Sequence, residues 1–264
     1  MIDFHTHVWP DDIAVNAVKS LAARAKIPAY TDGTVGGLRK SMAEAGVSLS
    51  VILPVITKAS QFDSITKFAS GINEKYEELI SFGAVFPGDP DYKKELRLLK
   101  EYGFKGIKLH PDYQRVRLDS KESMNIIYEA SALGLIVTVH AGIDIGLPEN
   151  PCSTPEMAFK VLEEIKPDKL VLAHTGGWKV WDEVEKLLCG RDVYFDLSFT
   201  DGYIDVEQWS RIIKKHGNRR CLFATDSPWS SPADTIQSLK KLGLSEEEQE
   251  MIFDGTANKL LEAD

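Results

Sequence analysis

The chain is poor in the residues that staple small secreted domains. It holds three cysteines, Cys152, Cys189 and Cys221, far apart and without a CxxC pair. A disulfide framework and a structural zinc knot are both unsupported, and the usage fits a reducing cytoplasm. No window of 18 residues is free of charge or turn punctuation, so there is no transmembrane candidate. The start, Met1-Ile2-Asp3-Phe4-His5, has neither the basic region nor the apolar stretch of a signal peptide. Basic residues are outnumbered, 31 Lys and Arg against 40 Asp and Glu for a formal net charge of −9. That balance argues against a nucleic-acid groove or an anionic membrane surface as partner. Low-complexity segments, internal repeats and domain linkers are also missing. The expectation is a cytoplasmic, unprocessed chain forming one domain over residues 1–264, with 43% apolar residues to supply a core.

What the chain has is order. Eight short apolar, β-branched runs recur at Ile2 to Val8, Leu49 to Pro54, Ile80 to Phe86, Gly106 to His110, Ile136 to His140, Leu170 to His174, Val193 to Ser198 and Cys221 to Asp226. Their spacing averages about 31 residues, the size of a βαβ unit. The runs are continuous rather than alternating, as parallel strands covered on both faces require. Amphipathic stretches lie between them. In Asp91 to Tyr102 the apolar face is Tyr92, Leu96, Leu99 and Tyr102, with charges on the other side. Helices are expected to stop at Gly103, Gly134 and Gly217. Eight units predict a closed (β/α)8 TIM barrel. The rival, an open doubly wound sheet, is weakened because no glycine-rich dinucleotide loop follows the first run. Pro28 to Gly37 and Gly142 to Pro155 read as loops, the second long enough for an active-site lid.

Five of the six histidines, His5, His7, His110, His140 and His174, fall late in a strand-like run or just after it. His216 sits in a charged helical stretch and is expected at the surface. Parallel barrel strands deliver their C-terminal ends to one face, so five imidazoles should share one cavity mouth. His5-Thr6-His7 projects both rings to the same side, about 6.6 Å apart along the strand, within reach of one cation. An HxH pair alone is weak. His140 at the end of the fifth run and Asp226 at the end of the eighth complete a set suited to one divalent ion, Zn²⁺ first, with Mn²⁺, Fe²⁺ and Co²⁺ also accommodated. The ordinary alternative for Asp226 is a cap on the turn Asp226-Ser227-Pro228. His174 is a fourth ligand, a proton shuttle or a core histidine, with the shuttle favoured. Lys108 contacts a substrate anion or carbonyl, forms a carbamylated metal bridge, or snorkels out of the mouth; substrate contact is favoured. His110 is a substrate contact or only a strand terminator. Arg115, with Arg117, offers an anion contact from the loop after the fourth run. Trp9, Tyr113, Trp178 and Trp229 offer pocket walls.

The strings His5-Thr-His7, Gly106-Ile-Lys-Leu-His-Pro111, Val139-His140-Ala-Gly, Ala173-His174-Thr-Gly-Gly177 and Phe223-Ala-Thr-Asp226-Ser-Pro-Trp229 together resemble the amidohydrolase superfamily. They are similar to the branch that holds both amidohydrolases and the aminocarboxymuconate-semialdehyde and resorcylate decarboxylases. The likeness runs from His5 to Gly255-Thr-Ala-Asn258-Lys-Leu-Leu261. It implies a (β/α)8 barrel with one divalent metal on His5, His7, His140 and Asp226, and His174 beside it as acid/base group. The catalytic expectation is His174 and Asp226; the substrate-contact expectation is Lys108, His110, Trp9 and Arg115. Two chemistries share these residues: hydrolysis of a small amide, ester or lactone, and non-oxidative decarboxylation of an aromatic or dienoate carboxylate. An inactive barrel that only binds is the third class, and the filled ligand positions weigh against it. The expected partner is a small, anionic molecule, with a homo-oligomer left open.

Overall fold

In the computed structural model, which describes residues 1–262, the apolar runs form nine parallel strands rather than eight. They are β1 (Ile2–Thr6), β2 (Leu49–Ile52), β3 (Leu79–Ser81), β4 (Gly83–Ala84), β5 (Gly106–Leu109), β6 (Ile136–Val139), β7 (Leu170–Leu172), β8 (Tyr194–Asp196) and β9 (Cys221–Leu222). The third expected strand is broken at Phe82. Its first half pairs with β2 through Ser50 opposite Leu79, and its second half pairs with β5 through Gly83 opposite Ile107. The break follows from side-chain volume. The fully buried Phe82 ring lies over Gly106, where a Cβ would come within 2.5 Å of it.

Neighbouring strands run in the orders β1-β2-β3 and β4-β5-β6-β7-β8-β9. Backbone bonds join the two ends: Phe4 N–H donates to Phe223 O at 2.9 Å, Asp226 N–H to His5 O at 2.8 Å and His7 N–H to Ser227 O at 2.7 Å. The last run is strand-like only over Cys221–Leu222, yet it stays bonded to β1 as far as Ser227. Closure removes both sheet edges and excludes the open doubly wound alternative. Phe4, Val51, Phe82, Ile136, Val171 and Leu222 belong to one apolar cluster of buried strand residues. A second, larger cluster seals strands such as β5, β6 and β7 beneath the helices.

The helices conform to the periodicity with local differences. The stretch 91–102 is helical over Tyr92–Glu101 and buries Leu96 and Leu99, but Tyr102 lies exposed past its end. Gly103, Gly134 and Gly217 follow their helices at φ values of +80°, +69° and +101°, which favour glycine. The first expected loop is shorter than read: Thr34 caps a helix over Val35–Ala45 by accepting from Gly37 N–H. His216 is not at the surface. It is 3% exposed, stacks on Phe195 with centroids 3.8 Å apart, and hydrogen-bonds Val193 O through Nε2 at 2.9 Å. Burial pushes its pKa down to about 4, so it is a neutral core residue. Among the described residues no helix is long and apolar enough to cross a membrane.

Glu95 departs most from the helix reading. Expected on the charged face, it is 9% exposed and its Oε2 has no partner. Burial, then the charges of Asp89, Asp91 and Asp63, push its pKa up from 4.5 to about 7. The folded state therefore holds this proton more tightly than the unfolded chain, and stability is lost as pH rises from about 4.5 through about 7. Glu95→Gln should raise Tm at pH 8 and leave it nearly unchanged at pH 5. Equal shifts at both values would show that the charge is not the cause.

Candidate metal centre

Because all strands are parallel, their C-terminal ends gather on one face. His5 lies within β1 and His7 follows it; His110 follows β5, His140 follows β6 and His174 stands two residues beyond β7. They meet in a cavity of about 320 Å³ together with Lys108 and Asp226. Trp9, Tyr113, Trp178, Phe199 and Trp229 wall it, and Ile143 and Ile145 of the expected lid complete its apolar side. That lid is anchored at its base, where Gly142 bridges Ser153 and Trp178. Gly142 has φ +92°, and a Cβ there would lie 2.1 Å from Trp178 N.

The hydrogen-bond network assigns the imidazole protons. His5 Nδ1–H donates to Asp196 Oδ2 at 2.9 Å, and burial holds the ring's pKa at about 4, so its Nε2 is a bare lone pair. His7 Nδ1–H donates to Leu53 O at 2.7 Å, which turns its Nε2 toward the cavity. These two Nε2 atoms lie 3.1 Å apart, and Asp226 Oδ1 is 3.3 Å from the first and 3.0 Å from the second. Acceptors gathered this closely call for positive charge beside them, and the Lys108 ammonium, 3.1 Å from His5 Nε2, supplies it in this structure. The separations match adjacent ligands on one ion, about 3 to 3.4 Å for bonds of about 2.1 Å. The donor set, two imidazoles and a carboxylate, suits a divalent transition metal, so the residues fit such an ion.

His174 Nδ1–H points at Ser198 O (3.2 Å), leaving its Nε2 to accept from His140 Nδ1–H at 3.0 Å. His140 Nε2 is then bare, buried and without a partner. His140 stands beside His110, the rings stacked 4.2 Å apart, with Asp144 Oδ2 at 3.9 Å from its Nε2 and 3.6 Å from that of His110. In this arrangement His5, His7 and Asp226 form one group, and His110, His140 and Asp144 a second. Burial keeps His110, His140 and His174 below the usual imidazole range, so all three are neutral. Burial would raise Asp226, but the His5 and His7 imidazoles facing it outweigh burial and hold the carboxyl below the usual carboxylate range, ionised.

Lys108, 1% exposed, donates from Nζ to His5 Nε2 at 3.1 Å. Burial pulls its pKa down to about 8 against the opposing pull of Asp196 and Asp226. Among the described residues it is the only Lys or Arg lining the cavity. The expectation for Arg115 is corrected. It ends the short helix Pro111–Gln114 in a left-handed conformation, φ +56°, and is exposed outside the cavity lining. Arg117 pairs with Asp119 instead of facing the site.

Three contributors were not read from the sequence. Asp196, fully buried, accepts from His5 Nδ1 and from the backbone N–H of His174 (3.1 Å) and Ser198 (3.1 Å). Burial opposes its charge, but His5 and the hydrogen bond from it hold Asp196 well below the carboxylate range. Ser198 sits between the rings of His5 and His174, its Oγ 3.2 and 3.0 Å from their Nδ1 atoms. Asp144 enters from the lid, with burial and then Asp112 pushing it up to about 6. The available signal for the first two was their position at the end of the seventh run, which carries no histidine.

A family model described as Amidohydrolase matches residues 2–263 of the sequence. Comparison with curated proteins finds no match. Among solved structures, the chain is similar to an uncharacterized TIM-barrel protein from Bordetella bronchiseptica (16% identity, TM-score 0.80, covering 99% of this chain and 98% of that one). It is also similar to a dihydroxybenzoic acid decarboxylase from Polaromonas sp. with bound manganese and 2-nitroresorcinol (16%, TM-score 0.72, 98% and 96%). A third is a probable 2-pyrone-4,6-dicarboxylic acid hydrolase from Acinetobacter baumannii with citric acid bound (16%, TM-score 0.68, 98% and 98%). At these identities the likenesses show the fold.

If Asp196 sets the tautomer of His5, Asp196→Asn should weaken Zn²⁺ binding by about tenfold to a hundredfold, the usual effect of losing such a partner. Competition against a chromophoric chelator, on protein with an unchanged far-UV spectrum, measures this. A change below about twofold would leave His5 oriented by packing alone.

Proposed function

Given that the chain belongs to the amidohydrolase family, we propose that it is a metal-dependent hydrolase of a small amide, ester or lactone, holding one divalent ion on His5, His7, His140 and Asp226. The observation that carries this reading is the convergence of His5 Nε2, His7 Nε2 and ionised Asp226 Oδ1 within 3.3 Å of one another. His140 stands with His110 and Asp144 rather than inside this group, and its assignment to the ion rests on its unpartnered Nε2 and on a ring oriented by the Nδ1–H bond to His174. Zn²⁺ is the first choice for this donor set, with Mn²⁺, Fe²⁺ and Co²⁺ alternatives. A cation at this place supplies a water acidified to about neutral pH and polarises a carbonyl.

The protein's own groups favour hydrolysis because the inner end of the cavity is rich in bases. His174 is neutral with Nε2 as its accepting atom, and Asp226 is ionised. Asp226 is the acceptor for the proton of an attacking water, and His174 would serve the leaving group once its Nε2 is freed from His140. Lys108 is placed to donate to the carbonyl or to an anionic group of the substrate, and His110 to contact it beside His140. Trp9 and the other aromatic walls exclude water and orient an apolar body. A second reading, non-oxidative decarboxylation of an aromatic or dienoate carboxylate, is favoured by the aromatic walls around a single buried lysine. Loss of carbon dioxide gains from moving a carboxylate into such a dry site.

Product analysis separates the two: a new carboxylate on turnover of an ester, lactone or amide supports the hydrolase, and released carbon dioxide marks the lyase. Protein grown with zinc should carry one ion per chain; none would overturn the metal-dependent reading. His174→Asn should keep the ion while turnover falls by about 10²- to 10⁴-fold. Loss of the ion to the extent seen in His7→Asn would make His174 a metal-binding residue. Asp226→Asn should bind metal more weakly and stay inactive at saturating metal; full recovery would leave proton transfer to His174 alone.

A further inference from the structure

We propose that Lys108 is a built-in competitor for the cation: in the metal-free protein its ammonium holds the His5 lone pair that the ion needs, and loading the site releases it to an anionic substrate. This rests on the reading of His5, His7 and Asp226 as a metal centre. His5 has two ring nitrogens. Nδ1 is committed to Asp196 at 2.9 Å, so Nε2 is the one atom it can offer an ion. That same atom accepts from Lys108 Nζ at 3.1 Å. A lone pair cannot accept a proton donor and coordinate an ion at once, so the two states exclude each other.

Charge points the same way. Without an ion, Lys108 is the cation that faces Asp196 and Asp226, with three N–H donors and no accepting atom. When an ion takes its acceptor and repels its charge, the ammonium is left in a cavity that is otherwise apolar at its outer end. Buried to 1% exposure, it cannot turn to bulk water. A carboxylate or an oxyanion entering the cavity is the acceptor that restores its hydrogen bonding. Metal loading is thereby coupled to anion binding, in that order.

The test compares wild type with Lys108→Met and Lys108→Gln, using Zn²⁺ alone and then benzoate as the anion. The glutamine variant keeps an N–H donor and guards against misfolding of the methionine variant. Zn²⁺ affinity, read against a chromophoric chelator, should rise about tenfold in Lys108→Met, the size of one lost charged hydrogen bond, and less in Lys108→Gln. Benzoate affinity of the zinc-loaded protein, read calorimetrically, should fall about tenfold in Lys108→Met. Tighter metal with weaker anion is a pair of opposite signs that a merely structural lysine does not produce. Zinc binding that is unchanged or weaker in both variants overturns the proposal, as does unchanged benzoate binding. A carbon dioxide adduct on the Lys108 peptide of zinc-loaded wild type overturns it too, since the lysine would then be a ligand. Wild type that takes up no zinc fails the metal-centre reading instead.

Discussion

A carboxylate buried completely at the end of a barrel strand is expensive, and Asp196 repays it by fixing four groups at once. It takes the Nδ1 proton of His5, the backbone N–H of His174 and the backbone N–H of Ser198, and it accepts the Ser198 hydroxyl. Together the four bonds constrain three parts of the face: β1 through His5, the residues after β7 through His174, and its own strand end through Ser198. Ser198 then constrains the ring of His174 through Nδ1, and His174 constrains His140. The tautomers of three imidazoles on three strands therefore descend from one ionised group. Linked buried hydrogen bonds of this kind rigidify their neighbours, and the chain ends at His140 Nε2, which has no hydrogen-bond partner.

The barrel carries this network at a cost in backbone strain. His174, Thr175 and Asp226 all hold positive φ values, +59°, +56° and +63°, which branched or charged L residues rarely adopt. Each such residue costs on the order of 1–3 kcal/mol and persists only where neighbours over-determine it. The neighbours are identifiable. Thr175 N–H donates to Asp196 O at 2.7 Å, Trp181 Nε1–H donates to His174 O at 3.1 Å, and Asp226 N–H is tied to His5 O at 2.8 Å. The last of these is one of the bonds that closes the barrel. The strained turn that aims Asp226 and the pairing that joins β1 to the final run are the same piece of structure.

Much of this was legible because period and position carry it. Apolar runs at the spacing of βαβ units gave a parallel barrel, and parallel strands put His5, His7, His140, His174 and Asp226 on one face whatever the loops did. What escaped was set by packing rather than pattern. The split of the third strand depends on the Phe82 ring over Gly106, two residues 24 apart in sequence with no local signal joining them. His216 looked superficial among lysines because a helix face cannot be assigned from charge alone when one imidazole stacks on Phe195. Arg115 looked available because a loop position says nothing about which way a left-handed residue turns its side chain. Asp196 and Ser198 stand at the right end of the right strand, but a carboxylate and a hydroxyl there look like ordinary strand-end polar residues until the His5 and His174 rings are seen against them.

The division of the cavity into a polar inner end and an apolar outer end follows from the same topology. The inner atoms come from strand ends, which closure holds rigid, and every charged group there is engaged with another across strands. The outer wall comes from segments that closure does not fix: Leu21 and Ala25 from the helix Asp11–Ala25, and Ile143 and Ile145 from the lid. Changes in the outer wall need not disturb the hydrogen bonds that set the imidazole tautomers, because none of those four apolar side chains takes part in them. The two ends of the cavity are thus held by different parts of the chain, the inner by cross-strand hydrogen bonds and the outer by loop and helix packing. Asp144 is the exception, a charged group that the lid brings to the rings of His110 and His140. Through it the segment after β6 bears directly on the electrostatics of the inner cluster.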